Sequence, residues 1–226
     1  NVKIDNEVKD SWSIYPITQF YDVEGNYGGI TSLIALNQNL YYIQEKGIGV
    51  LMVNPVSMLT GDAQGFPISL GNGSQTIQKH YYKSIDSGSK HQWSVYRSQS
   101  AITYIDIRQK KIMLFNGEAI NPVSDLKGQR GFLYKRLHEA LIDNDNPIIG
   151  KGLLVTYDYQ NNEFLYTFKN NSLNKFGSPN QASDENLTIS YSEFQDAFVS
   201  MYSFAPNIYI NNNRFLWSVD NDINTS

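Results

Sequence analysis

The chain contains no cysteine. Disulfide staples and thiolate metal sites are thereby excluded, so packing and hydrogen bonding must hold the fold together. Histidine is scarce: His80, His91 and His138 are scattered, with no i, i+4 pair and no second ligand type at metal-binding spacing. No metal or cofactor site is expected. No apolar run approaches the roughly 18 residues that a membrane-crossing helix needs, so no membrane segment is expected either. Charge of one sign is also missing. The formal net charge is -4, acids and bases are interspersed, and no polybasic run marks a specific nucleic-acid surface. With 41% hydrophobic residues, only 18% charged and 7 prolines, the composition is that of a packed chain and not of a disordered one.

What is present in excess is aromatic: 16 Tyr, 11 Phe and 3 Trp among 226 residues. Such side chains favour pleated, half-buried surfaces, where the ring packs and a tyrosine hydroxyl still reaches a polar partner. Asparagine recurs in runs such as Asn170-Asn171 and Asn211-Asn212-Asn213, and Asn tolerates left-handed backbone in turns. Aromatic strands closed by Asn turns predict an all-β fold.

Four hairpin-like segments stand out: Leu40 to Val53, Ile102 to Phe115, Val155 to Phe168 and Ile208 to Val219. Each is an apolar-aromatic run, a short polar turn and a second apolar run. The middle two share a motif, Thr103, Tyr104 and Asp106 against Thr156, Tyr157 and Asp158. Companion strands are expected at Ser32 to Leu36, Trp93 to Arg97 and Phe198 to Phe204, with Phe198, Ser200 and Tyr202 alternating. Spacings of about 50 to 60 residues lie near the larger propeller repeats, with room for a four-stranded blade each. The reading is a β-propeller-like domain over residues 30–226 with about four blade repeats, a set this chain need not complete. Residues 1–29 form an N-terminal arm or partial blade. Tyr104, Asp106, Tyr157, Asp158, Trp93 and Trp217 are its expected core and turn positions. A β-sandwich is the alternative, since it too shows short strands and frequent turns. Asn1, not Met, is the first residue, which reads as a processed product or a segment of something longer.

One segment breaks the β pattern. Gly131 to Leu141 places Leu133, Leu137, Ala140 and Leu141 at helical spacing, predicting a short amphipathic helix that caps a blade or meets a neighbouring subunit. The polar stretches Asn54 to Lys79 and Asn170 to Asn186 read as long loops.

The search for chemistry returns little. Asp86-Ser87-Gly88-Ser89 lacks the Gly-x-Ser-x-Gly elbow and reads as a tight turn. Gly71-Asn72-Gly73-Ser74 lacks the Lys-Ser/Thr of a phosphate loop. Asp22, Asp106, Asp158, Glu163 and Glu193 are the carboxylates from which a glycosidase would need a flanking pair, but Asp106 and Asp158 recur at equivalent strand exits, as turn residues do. The pairs Tyr41-Tyr42 and Tyr81-Tyr82 would stack on sugars or pack between blades. Asn72, Asn170, Asn186 and Asn224 head Asn-x-Ser/Thr triplets, which matter only in a eukaryotic secreted protein. No catalytic, cofactor-binding or metal residue is assigned.

The run Tyr82 to Gly117 resembles a recurrent stretch in tail proteins of short-tailed bacteriophages: Gly88-Ser89 through Ser94, then Tyr104-Ile105-Asp106, a Lys110-Lys111 turn and Phe115-Asn116-Gly117. Val123-Ser124-Asp125 with Gly128 is similar too, as is the strand pair Ser190-Tyr191-Ser192-Glu193-Phe194 and Phe198-Val199-Ser200. These resemble the nozzle or muzzle proteins of crAss-like phages, over most of Ile30 to Val219. The resemblance implies a non-enzymatic β-propeller subunit of the virion tail. It would pack with other tail proteins and with copies of itself in a ring around the DNA exit channel, after assembly in the bacterial cytoplasm. Proteins of that family are generally much larger. A host-surface glycan or receptor-binding module is the first alternative, and a propeller-type glycoside hydrolase the second.

Overall fold

Strands form where β-branched and aromatic residues cluster, and they end where Asn, Asp or Gly turns the chain. A computed structural model describes residues 20–53, 58–60, 67–69, 77–137, 145–146, 151–170, 186–212 and 214–220. Its first sheet has β1 (Ile30–Leu36), β2 (Asn39–Gln44), β3 (Ile48–Val53) and, after a short hairpin of β4 (Met58–Thr60) and β5 (Pro67–Ser69), β6 (Ile77–Ser84), in the order β1-β2-β3-β6. The second is a meander of β7 (Val95–Arg97), β8 (Ile102–Asp106), β9 (Lys111–Phe115) and β10 (Ile120–Asn121). The third repeats it with β11 (Lys151–Asp158), β12 (Glu163–Asn170), β13 (Leu187–Ser192) and β14 (Ala197–Tyr202). A hairpin follows, β15 (Ile208–Asn211) and β16 (Leu216–Val219). All pairings are antiparallel.

One turn design serves three of these hairpins. The loops between β8 and β9, β11 and β12, and β13 and β14 each end on a left-handed residue, Lys110 (φ 57°), Asn162 (φ 55°) and Asp196 (φ 50°). Each is opened by a side chain that accepts a loop N–H. Asp106 Oδ1 takes Gln109 at 3.0 Å, Asp158 Oδ1 takes Gln160 at 2.9 Å, and Ser192 Oγ takes Gln195 at 3.4 Å. The recurrent strand-exit aspartates are thus turn residues. Asn37 and Gln38, both at positive φ, instead join β1 to β2 by a two-residue turn whose twist suits a hairpin.

The sheets stack face to face. Leu36, Tyr41, Ile43, Ile48 and Val50 of the first meet Val95, Ile102, Tyr104, Met113 and Phe115 of the second. The other side of the second sheet, with Ile105 and Ile112, packs on Leu153, Val155, Tyr157, Phe164, Tyr166, Phe168, Ile189 and Tyr191 of the third. Covered on both sides, all five residues of β8 are buried, which is why this strand shows no polar-apolar alternation. Its one inward hydroxyl on the third-sheet side, Thr103 Oγ1, is 2.8 Å from Tyr166 Oη and so does not go unpaired.

Two short helices close the bottom of the second seam: α1 (Val123–Leu126) and α2 (Arg130–Arg136). Val123, Leu133 and Leu137 join that core, so α2 caps the sheets beneath it. The expected helix over Gly131 to Leu141 starts one residue earlier, and its residues 138–141 lie outside the described residues. The Asn54 to Lys79 loop is corrected where it is described, since it holds β4, β5 and the start of β6. Residues 171–185 of the second expected loop lie outside the described residues.

Of the two tryptophans expected at core or turn positions, neither is core. Trp93 stands in a 3-10 turn (Gln92–Ser94) ahead of β7 and is 38% exposed, while Trp217 is 50% exposed on the outward face of β16. The alternation through β14 is broken as well. The pairing slips between Ser190 and Tyr191, so Phe198 joins Tyr191 and Tyr166 in the second seam, whereas Ser200 and Tyr202 face the other way. An extra residue, Val199, bulges the strand.

The two ends of the stack differ. Over the outer face of the first sheet lies the segment after residue 20. Tyr21 Oη bonds His80 Nδ1 at 2.8 Å, Tyr27 packs on the Tyr82 ring, and Gln44 Nε2 donates to the carbonyls of Glu24 and Gly28 at 2.9 and 2.8 Å. At the far end, β15–β16 turns Tyr209 and Asn211 toward the third sheet and leaves Ile210, Phe215, Trp217 and Val219 between 42% and 53% exposed.

Candidate functional site

The junction between the first and second sheets gathers most of the motif residues. Leaving β6, the chain threads Asp86-Ser87-Gly88-Ser89 into the seam. Ser87 Oγ lies 2.7 Å from Tyr104 Oη, and Gly88 N–H donates to Asp106 Oδ2 at 3.4 Å. Ser89 N–H donates to the Gln44 carbonyl at 3.0 Å, and Thr31 Oγ1 donates to the Ser89 carbonyl at 2.7 Å. Only glycine fits at 88: a Cβ there would stand 2.1 Å from the Gln44 carbonyl oxygen. Neighbouring sheets are therefore tied by polar bonds across a seam that is otherwise apolar.

Both serines of this wiring are hydrogen-bonded. Ser89 Oγ is fully buried and lies 2.7 Å from Ser94 Oγ, with the carbonyls of Ile105 at 3.1 Å and His91 at 3.2 Å as the acceptors within reach of its one hydrogen. Burial raises the Asp106 carboxyl above the ordinary aspartate range, against the pull of the Gln109 and Gly88 N–H groups. Tyr104 is pushed far up for the same reason, and its hydroxyl stays protonated. His91 is buried beside this network, and His80 is held by Tyr21. His138 lies outside the described residues, as do Gly71 to Ser74, Asn72 and Asn224. Among the described residues no three His, Asp or Glu side chains gather to hold a metal ion.

The other carboxylates are dispersed except for one pair. Asp22 is exposed in the leading segment. Glu193 Oε1 accepts from Ser98 Oγ at 3.0 Å and Ser100 Oγ at 2.8 Å, a second polar tie between the second and third sheets. Asp158 and Glu163 are register partners across the β11–β12 turn and line one cleft of about 340 Å³ between the third sheet and the last hairpin. Asp158 is engaged there by the turn itself, through Gln160 N–H and Asn161 Nδ2 at 2.9 and 2.7 Å.

The tyrosine pairs divide. Tyr41 is buried in the first seam, edge-on to Phe115 at 5.0 Å. Tyr42 is buried on the opposite face above Gly49, where a Cβ would fall 2.2 Å from its hydroxyl. Tyr82 donates to Gln44 Oε1 at 2.9 Å, leaving Tyr81, 53% exposed, as the one of the four open to solvent. Gln44 itself was not singled out by sequence. A buried glutamine that bonds the leading segment and β6 looks, in sequence, like any polar strand end.

The described residues thus define a stack of antiparallel sheets whose polar motifs are engaged in turns and inter-sheet ties. The family model for the Crassvirus muzzle protein matches residues 1–222, and the chain belongs to that family. It is also similar to the "Muzzle protein" of Bacteroides phage crAss001, 29% identical over 165 residues, which is 73% of this chain but 12% of that relative's length. The chain thus spans only a small part of the relative it matches.

Proposed function

We propose that this chain is the sheet-stacking portion of a virion structural protein in the tail of a crassvirus-type bacteriophage, acting by packing and not by catalysis. Membership of the muzzle family carries this reading. It is supported by junctions in which Ser87, Gly88, Ser89, Tyr104 and Asp106 are spent on each other. In the finished protein the sheets are blades of a propeller-like domain, with residues 1–29 as an arm and about four blade repeats over residues 30–226. Copies pack with one another and with other tail proteins in a ring around the DNA exit channel. A net charge of -4 suits such a lining, since like charge keeps phosphate from sticking in transit.

The test is mass spectrometry of purified virions together with electron microscopy of their tails. Peptides of this chain in a distal tail ring are expected. Their absence from intact particles would overturn the structural role and bring a receptor-binding or glycosidase reading forward.

A further inference from the structure

The cleft between the third sheet and the last hairpin is unequal along its length. At one end the two layers are laced shut: Tyr209 Oη lies 2.8 Å from Thr167 Oγ1, and buried Lys169 bonds Asn207. Toward the β11–β12 turn they part, leaving the cleft of about 340 Å³, a size at the lower end of small-ligand sites. Its walls are aromatic and apolar, from Tyr202, Phe204, Phe215 and Leu216, and Glu163 and Asp158 supply negative charge.

The charged groups that line this cleft, Asp158 and Glu163, are both carboxylates, and the hydroxyls of Tyr202 and Ser218 can donate or accept. Gln160 Nε2, a donor that could serve a ligand, is already bonded to the Arg214 carbonyl at 2.9 Å, and the Tyr209 hydroxyl is shared with Thr167. Asp158 is engaged in its turn. Glu163 is half-buried and makes no ion pair among the described residues. The cleft thus suits a ligand that is cationic and flat enough to lie along aromatic rings. A guanidinium answers both demands, with a planar fork of five donors for the carboxylates. A sugar brings no charge to set against the carboxylates. The chain's own Arg214 already places its guanidinium 5.5 Å from the Phe215 ring centroid, a contact that an incoming cation would share or displace.

We propose that this cleft receives an arginine side chain from a partner polypeptide, with Glu163 as its carboxylate and Phe215 and Tyr202 as its aromatic walls. That the partner is a neighbouring tail subunit rests on the structural reading above; the chemistry of the ligand rests on the cleft alone.

The probe is the peptide acetyl-Ala-Arg-Ala-amide, titrated into the ¹⁵N-labelled chain and followed by amide shifts of Gln160, Leu216 and Ser218. Its neutral isostere, with citrulline in place of arginine, is the control and needs no variant. Saturable shifts are expected with the arginine peptide, weakened about tenfold with citrulline or in Glu163→Gln, and weakened by added salt, as for a charge-assisted pair. Equal binding of the citrulline peptide would overturn the proposal, as would no saturable shift at all. So would shifts of the same amides by maltotriose without any by the arginine peptide, which would make the cleft a sugar site. None of these outcomes depends on whether virions contain the chain, so the two readings can fail separately.

Discussion

Asp106 is buried, turn-forming and inter-sheet at once, which makes its protonation a stability variable. Its folded-state pKa is raised by burial, so the folded chain holds this proton more tightly than the unfolded chain does. Its contribution is therefore fullest below the unfolded value, about 3.9, and is lost as pH rises through the folded value. Asp106→Asn removes that dependence. The difference in Tm between variant and parent should shift in favour of the parent as pH falls from 7 toward 4, and a difference independent of pH would refute the burial argument. Gly88 makes a second residue-scale claim. With the Gln44 carbonyl 2.1 Å from where a Cβ would stand, Gly88→Ala must displace backbone, at a cost of about 1–3 kcal/mol or more. Urea denaturation measures it, and a loss under about 0.5 kcal/mol, the scatter of neutral surface changes, would mean that the seam is looser than described.

At the scale of elements, α2 is seven residues long and too short to hold itself together. Packing holds it. Leu133 is fully buried and Leu126 is 64% exposed, so Leu133→Ala should cost roughly 2–5 kcal/mol by cavity formation while Leu126→Ala stays near zero. Equal midpoints in denaturant for the two variants would contradict this packing. The helix, all four hairpins and the turn role of Asp106 and Asp158 were legible in sequence because each rests on local signals: spacing, strand-forming runs and the residues that tolerate left-handed backbone. What sequence did not carry is long-range. Trp93 and Trp217 look like core by chemistry, but one falls in a 3-10 turn and the other on the outward face of β16, where it is half exposed. The bulge at Val199 reverses the facing of β14 without any glycine or proline to announce it. The cleft is made by the divergence of two layers far apart in sequence. Asp158 and Glu163 could be named, but their shared cleft could not.

Across the whole molecule, protection should grade with coverage. β8 is enclosed by sheets on both sides, the first sheet is sealed outside by the leading segment, and among the described residues β15–β16 is covered on one face only. Hydrogen exchange should be slowest in β8 and fastest among the sheets in β15–β16, following the local opening free energies that such coverage sets. Uniform exchange across the three layers would refute this. The same inequality has a mechanical meaning. Pulled from residue 220, the chain would peel one two-stranded ribbon from a surface laced mainly by Tyr209, Asn211 and Lys169. Pulled from residue 20, it must first strip the tyrosine and glutamine contacts that seal the opposite end. Single-molecule stretching should therefore record an early, low-force step at the hairpin end, so that under one shared tension the stack yields at that end before the other.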